Sequence, residues 1–143
     1  VSLSRTSDDY RTDEWILDLF PDFFDPCPYF GKTNDNTCDG LSISWNYADY
    51  HGVFVNPPYS NPLPWVEKAI SEHNLAIETL HDPDDGYDGS ALRIVMLLKH
   101  DTSTKWFRLL HEHGCHVLMV QGRLKHQTPY SAPFPSVLVV FPE

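Results

Sequence analysis

The sequence predicts an α/β fold: a mainly parallel sheet with an antiparallel edge and helices on both faces. Three observations carry this. Short apolar runs alternate with helix-periodic stretches, as parallel strands with crossover helices require. One run, Val53-Phe54-Val55, stops dead at Asn56-Pro57-Pro58-Tyr59-Ser60. The last two apolar runs are separated by a polar, Pro-rich stretch at 121–135, too long for a tight hairpin.

Taken in order, residues 1–11 are polar and are expected to be flexible. A helix should open at Thr12, which could cap it, with Asp13 and Glu14 favouring the positive end. Trp15, Ile16, Leu19 and Phe20 would form its apolar face, and Pro21 would stop it. Phe23-Phe24 then leads into Asp25-Pro26-Cys27-Pro28, a short apolar piece ending on a carboxylate and two prolines. Residues 31–40 read as a loop. Leu41 to Trp45 alternates, so it reads as a short edge strand or as a loop pinned by Trp45.

The run 53–55 predicts a buried strand, because prolines without an N–H cannot continue a ladder. A helix follows from Pro64 to about Leu80, then an Asp- and Gly-rich connection at 81–90. Ala91 to Leu98 is the strongest strand signal in the chain. Asp101, Thr102 or Ser103 is expected to cap a helix through Trp106, Phe107, Leu109 and Leu110 that Gly114 ends. Cys115 to Val120 and Ser136 to Phe141 complete the strands. No repeat or linker divides residues 1–143, which read as one domain.

Composition sets bounds. The 143 residues are 41% hydrophobic and 13% aromatic, which supports a packed core. No apolar run reaches membrane-spanning length and no basic segment followed by an apolar stretch opens the chain, so the expectation is a cytoplasmic protein with no membrane partner. Three cysteines leave one over after any pairing, pointing to reduced thiols. The stretch from His111 to His116 contains His and Cys, but its donors straddle a predicted helix end and strand start, so no metal is expected there.

The formal net charge of −10 sits poorly with a nucleic-acid partner, since only 10 Lys and Arg are present. A surface adapted to high salt, a partner other than nucleic acid, and a homodimer or partner subunit supplying the basic surface each account for it. Asp-richness and scarce Lys favour the first, a halophilic surface.

Asn56 stands at the carboxyl end of a strand, the edge where open α/β sheets bind ligands. Two acceptors, its side-chain oxygen and the Pro57 carbonyl, suit the two hydrogens of an exocyclic amino group. Drawing that nitrogen toward tetrahedral geometry frees its lone pair, so the chemistry that fits is amino-group methylation. Pro57 and Pro58 stiffen the backbone, and Tyr59 offers a face for a flat base.

The ordered set of motifs resembles the compact phage-type DNA N-6-adenine-methyltransferase (Dam-like) family. The resemblance runs over 12–141 and rests on Asp25-Pro26-Cys27-Pro28, Asp39-Gly40-Leu41 with Trp45, and Asn56-Pro57-Pro58-Tyr59-Ser60. Val66-Glu67-Lys68-Ala69, Thr104-Lys105-Trp106-Phe107, Gly122-Arg123-Leu124-Lys125 and the segment from Ser131 to Ser136 extend it. It implies a compact Rossmann-like methyltransferase fold and methyl transfer from S-adenosylmethionine to adenine N6 in DNA, with the adenine flipped out of the stack. By resemblance, Asn56, Pro57, Pro58 and Tyr59 would be catalytic. Thr12, Asp25, Pro26 and Asp39 would lie at the cofactor. Ser60, Arg123 and Lys125 would meet the substrate, the two cations as phosphate contacts. The chain lacks a Gly-x-Gly cofactor loop and has Lys99 where the resemblance leads one to expect proline. Two rival readings stay open: the same chemistry on RNA adenine or protein glutamine, and a non-catalytic nucleic-acid-binding partner subunit.

Overall fold

A computed structural model describes residues 11–27, 40–46, 50–79 and 92–143. Among these, α1 (Glu14–Leu17), β1 (Phe23–Phe24), β2 (Gly52–Val55), α2 (Leu63–Thr79), β3 (Ile94–Lys99), α3 (Lys105–Glu112), β4 (His116–Met119) and β5 (Ser136–Val140) follow in chain order. The five strands form one sheet in the order β1-β2-β3-β5-β4. The first three are parallel, with Phe24 opposite Val53 and Val55 opposite Met96. The connection 81–90 lies outside the described residues.

The predicted antiparallel edge is corrected in one respect. β5 runs antiparallel to both neighbours, β3 and β4, so the reversed strand lies second from the edge and β4 at the edge runs with the first three. Burial explains the order. Val137, Leu138 and Val139 are buried on both sides of β5, which demands an interior place, whereas all of β4 is exposed, Met119 by 79%. The chain between them is long enough to let β5 return and insert between β3 and β4.

Strand alternation divides the core. Val53, Val55, Ile94, Met96, Leu98, Val137 and Val139 pack on one face with Val66 and Ala69 of α2 and Trp106 and Leu110 of α3. Phe54, Val95, Leu97 and Leu138 point to the other, where Ile16 of α1 and Leu124 of the loop between β4 and β5 cover them. Helices therefore flank both faces, but unequally, since α1 is a single turn.

That short helix departs from the sequence reading. Trp15 and Leu19 are 49% and 57% exposed, leaving Ile16 as the buried anchor of α1, so tertiary packing supports little of the predicted apolar face. Asp13, not Thr12, is the N-cap, and its side chain makes no capping bond. The cap of α3 also shifts: Thr104 accepts from the Phe107 N–H at 3.2 Å, one residue beyond the predicted set, while Asp101 accepts from Ser103. Gly114 ends α3 as predicted, at φ +84°, a conformation that suits glycine. Leu41 to Trp45 forms no strand; the segment is a loop pinned by the Trp45 indole, which donates to the Gly40 carbonyl at 2.7 Å.

Candidate active site

β1 and β2 are parallel neighbours with Phe24 opposite Val53, and Asp25 and Asn56 each stand one residue beyond the carboxyl end of their strand. Asn56 is half-buried and its Nδ2 donates to Thr12 Oγ1 at 3.0 Å. This bond joins residues far apart in sequence and fixes the carboxamide plane. With the nitrogen on Thr12, the oxygen is directed to the opposite side of the group. It also explains why Thr12 is not the helix cap: its hydroxyl oxygen accepts from Asn56.

Thr12 is held from behind. Gln127 Nε2 donates to the Thr12 carbonyl at 2.7 Å, and His126 Nδ1 lies 2.9 Å from the Arg11 carbonyl, a contact in which the ring nitrogen donates. The Lys125 N–H donates to Asp13 Oδ2 at 3.3 Å. His126 and Gln127 both adopt positive φ, 52° and 60°, which turns their side chains back onto the 11–13 segment. Arg123 and Lys125 straddle the buried Leu124, so both cations stay exposed on the same loop.

Pro57 is buried, Pro58 and Tyr59 are half-buried, and Ser60 is exposed. The Tyr59 ring meets Phe134 at 4.8 Å and His126 at 5.7 Å between centroids, tilted by 58° and 68°, so neither neighbour lies flat on it. Lys99 Nζ sits 5.7 Å from the Phe134 centroid, bringing the end of β3 to the same aromatic group.

Beside this lies the Asp25 corner. Burial pushes the Asp25 carboxyl up to about 6, against the lowering effect of a Cys27 N–H that donates to Oδ1 at 2.9 Å. Pro26 is buried, and Gly40 approaches it so closely that an added Cβ would collide with the Pro26 carbonyl oxygen and fall 2.8 Å from Trp65 Cζ3. Only glycine fits there. Trp45 and Trp65 stack near this contact with centroids 6.5 Å apart. Asp39 lies outside the described residues.

The structure thus brings Thr12, Asn56 and Tyr59 together with the loop that bears Arg123 and Lys125, and sets Asp25 and Pro26 at the neighbouring strand end. Sequence reasoning missed His126, Gln127 and Phe134 as members. A His-Gln pair directly after two cations was the available signal, but the left-handed backbone that aims it inward was not readable. A groove of about 610 Å³ between α2 and α3, lined by residues such as Glu67, Ile70, Leu75 and Lys105, contains none of the predicted residues.

The stretch from His111 to His116 forms a different contact. His113 Nε2 lies 2.8 Å from His73 Nδ1, and among the described residues no three His, Cys, Asp or Glu side chains are grouped to hold a metal. Cys27 and Cys115 are free thiols, the latter pushed up to about 12 by burial and therefore a poor nucleophile. No helix among the described residues is long and apolar enough to cross a membrane.

Comparison with known proteins decides the family. The model of the DNA N-6-adenine-methyltransferase (Dam) family matches residues 7–136. The chain belongs to that family. A relative called DNA N-6-adenine-methyltransferase, from Haemophilus phage HP1 (strain HP1c1), is 45% identical over 62 residues, which cover 42% of this chain and 28% of the phage protein. The chain thus spans little more than a quarter of that relative's length. No solved structure matches it. Family membership agrees with the resemblance read from the ordered motifs, and the matched span includes Thr12, Asp25, Pro26, Asp39, Asn56 to Ser60, Arg123 and Lys125.

Proposed function

We propose that this chain is a Rossmann-like methyltransferase domain that transfers a methyl group from S-adenosylmethionine to the N6 amino group of adenine in DNA. The observation that carries the reading is the Asn56 carboxamide, oriented by Thr12 at 3.0 Å just past the end of β2 and followed by the Tyr59 ring. A parallel β1–β2–β3 core with the candidate residues at its carboxyl edge supports it, because that edge is where such sheets bind ligands.

The Asn56 oxygen and the Pro57 carbonyl accept the two N6 hydrogens and pull the nitrogen out of conjugation with the purine ring. Tyr59 takes the flipped base against its ring, with Phe134 and His126 supporting that ring from the side. When bound, S-adenosylmethionine would supply an electrophilic methyl for the N6 lone pair, the electron pair of the carbon–sulfur bond remaining with sulfur. The N6 proton is acidic once the methyl is attached and leaves to water, so the chain needs no strong base.

The residues present suit this cofactor. Asp25, whose carboxyl burial pushes up to about 6, is a group that hydroxyl or ammonium donors would draw into its ionised form. We assign Thr12, Asp25, Pro26 and Asp39 to cofactor binding, and Ser60, Arg123 and Lys125 to the DNA.

The test is labelled S-adenosylmethionine with unmethylated DNA, RNA and protein in parallel, at low and at molar salt. Label at adenine N6 of DNA is expected. Label in RNA or protein with none in DNA would overturn the substrate assignment, and label in none would overturn the enzyme reading.

A further inference from the structure

We infer that His126 and Gln127 are positioning residues: they hold the 11–13 segment in place so that Thr12 orients the Asn56 carboxamide. The inference concerns the same site as the proposed function and draws its catalytic consequence from that reading, but its geometric content stands apart.

The chain of contacts is short and continuous. Gln127 donates to the Thr12 carbonyl at 2.7 Å, His126 Nδ1 to the Arg11 carbonyl at 2.9 Å, and the Lys125 N–H to Asp13 at 3.3 Å. Thr12 Oγ1 then accepts from Asn56 at 3.0 Å. α1, which follows directly, is one turn long and has Ile16 as its buried anchor, so it cannot by itself fix Thr12. The loop supplies what the helix lacks.

Two side observations point the same way. His126 is 1% exposed although it lies in a loop flanked by exposed residues, and its ring touches Tyr59. Consecutive left-handed residues are costly outside glycine, and here that backbone directs both side chains to the same neighbouring segment. The loop itself is closed by Ala132 N–H donating to the Leu124 carbonyl at 2.7 Å and Thr128 N–H to the Lys125 carbonyl at 3.0 Å. The candidate DNA contacts Arg123 and Lys125 are on this same loop, so the element that would meet phosphate also orients the carboxamide.

A carboxamide aimed at a reacting nitrogen is sensitive to small displacement, since a 1 Å error can cost about 10²-fold in rate. Gln127→Glu keeps the shape and removes the donor. At pH 8 and saturating DNA it should lower the single-turnover methyl-transfer rate by about tenfold or more. His126→Ala should do likewise. His126→Asn places an N–H where Nδ1 stood and tolerates the left-handed backbone, so it should return the rate to within about threefold of the parent.

The deciding readout does not need activity. In the parent, the Asn56 side-chain NH₂ pair should show one proton shifted and slowed in exchange by its bond to Thr12. In Gln127→Glu that proton should move to the position of an exposed carboxamide and exchange faster, while the melting temperature, set mainly elsewhere, changes little because Gln127 is exposed. An Asn56 NH₂ pair identical to the parent's in both Gln127→Glu and His126→Ala would overturn the inference. If the pair moves in the variants while the parent transfers no methyl group to DNA, the positioning role stands and the methyltransferase reading falls.

Discussion

His126 and His73 make a controlled comparison inside one molecule. Both are 1% exposed, and both bond a backbone carbonyl from a distant segment, His126 that of Arg11 and His73 that of Pro142 at 2.7 Å. They lie at opposite ends of the sheet. His126 is beside Tyr59 at the carboxyl edge, whereas His73 sits with Phe141, which bonds Ile94 at the amino end of β3. His73 spends its second nitrogen on His113 and so ties α2 to the end of α3 and to the chain after β5. Burial and the bond to a distant carbonyl are therefore shared, and what separates a candidate site residue from a structural one is where the bonded segment leads. One leads to Asn56 and the other to a helix junction.

The largest expected break of this comparison comes from its two ends. Asn56→Ala should lower single-turnover methyl transfer by about 10²–10³-fold, the usual cost of losing one well-placed polar partner, with the melting temperature nearly unchanged. His73→Ala should do the reverse. It leaves a cavity and unmet polar groups worth about 2–4 kcal/mol, seen in denaturant titration, with the transfer rate of the folded protein intact.

Next in size is Asp25, where a candidate site carboxyl is kept in an unfavourable setting. Its folded value, about 6, lies above the ordinary 3.8, so the folded state binds more protons than the unfolded one between these values. Stability from this group is full below about pH 4 and is lost as pH rises toward 6 and beyond. Asp25→Asn should therefore stabilise the protein at pH 7 by up to about 3 kcal/mol and have little effect near pH 3. Urea titrations across pH would check this, and cofactor titration should show weaker binding by the stabler variant.

Smaller still is the effect of the exposed cations. Replacing Arg123 and Lys125 by Ala should weaken DNA binding at every sequence and reduce the slope of log affinity against log salt by about 2, leaving cofactor affinity unchanged. Binding isotherms over a salt series measure it. A drop in cofactor affinity instead would assign the loop to the other pocket.

The smallest effect belongs to His113, and its sign is opposite to that of Asp25. Burial, and then the neighbouring His73, hold its imidazole below the ordinary 6.5. The unfolded chain thus takes up the proton first, and the stability present above pH 6.5 declines as pH falls below it. His113→Asn should flatten that acid-side slope without touching the decline between pH 4 and 6 that Asp25 causes. The two ends of the sheet would then be separable by pH alone.

The carboxyl-edge position of Asn56-Pro57-Pro58-Tyr59 was legible because an apolar run that ends on two prolines can be read without partners. α2, β3, α3 and β5 were legible for the same reason: their apolar pattern states how they will be buried. Several things were not. Thr12 looks like a helix cap in sequence, since a Thr before Asp-Glu usually is one, yet its hydroxyl receives Asn56 from another part of the chain. The placing of β5 between β3 and β4 depends on competition between two apolar runs for one interior slot, which neither run records alone. His126 and Gln127 read as polar loop residues, and only the left-handed backbone at both turns them onto residues 11–13. What the sequence by itself determined is thus the set of elements and the motif at the strand end, because local pattern and backbone chemistry suffice for them. The tertiary structure alone decided which side chains hold that motif in register, because bonds between residues more than 40 apart depend on how the elements are stacked, and no local pattern encodes that.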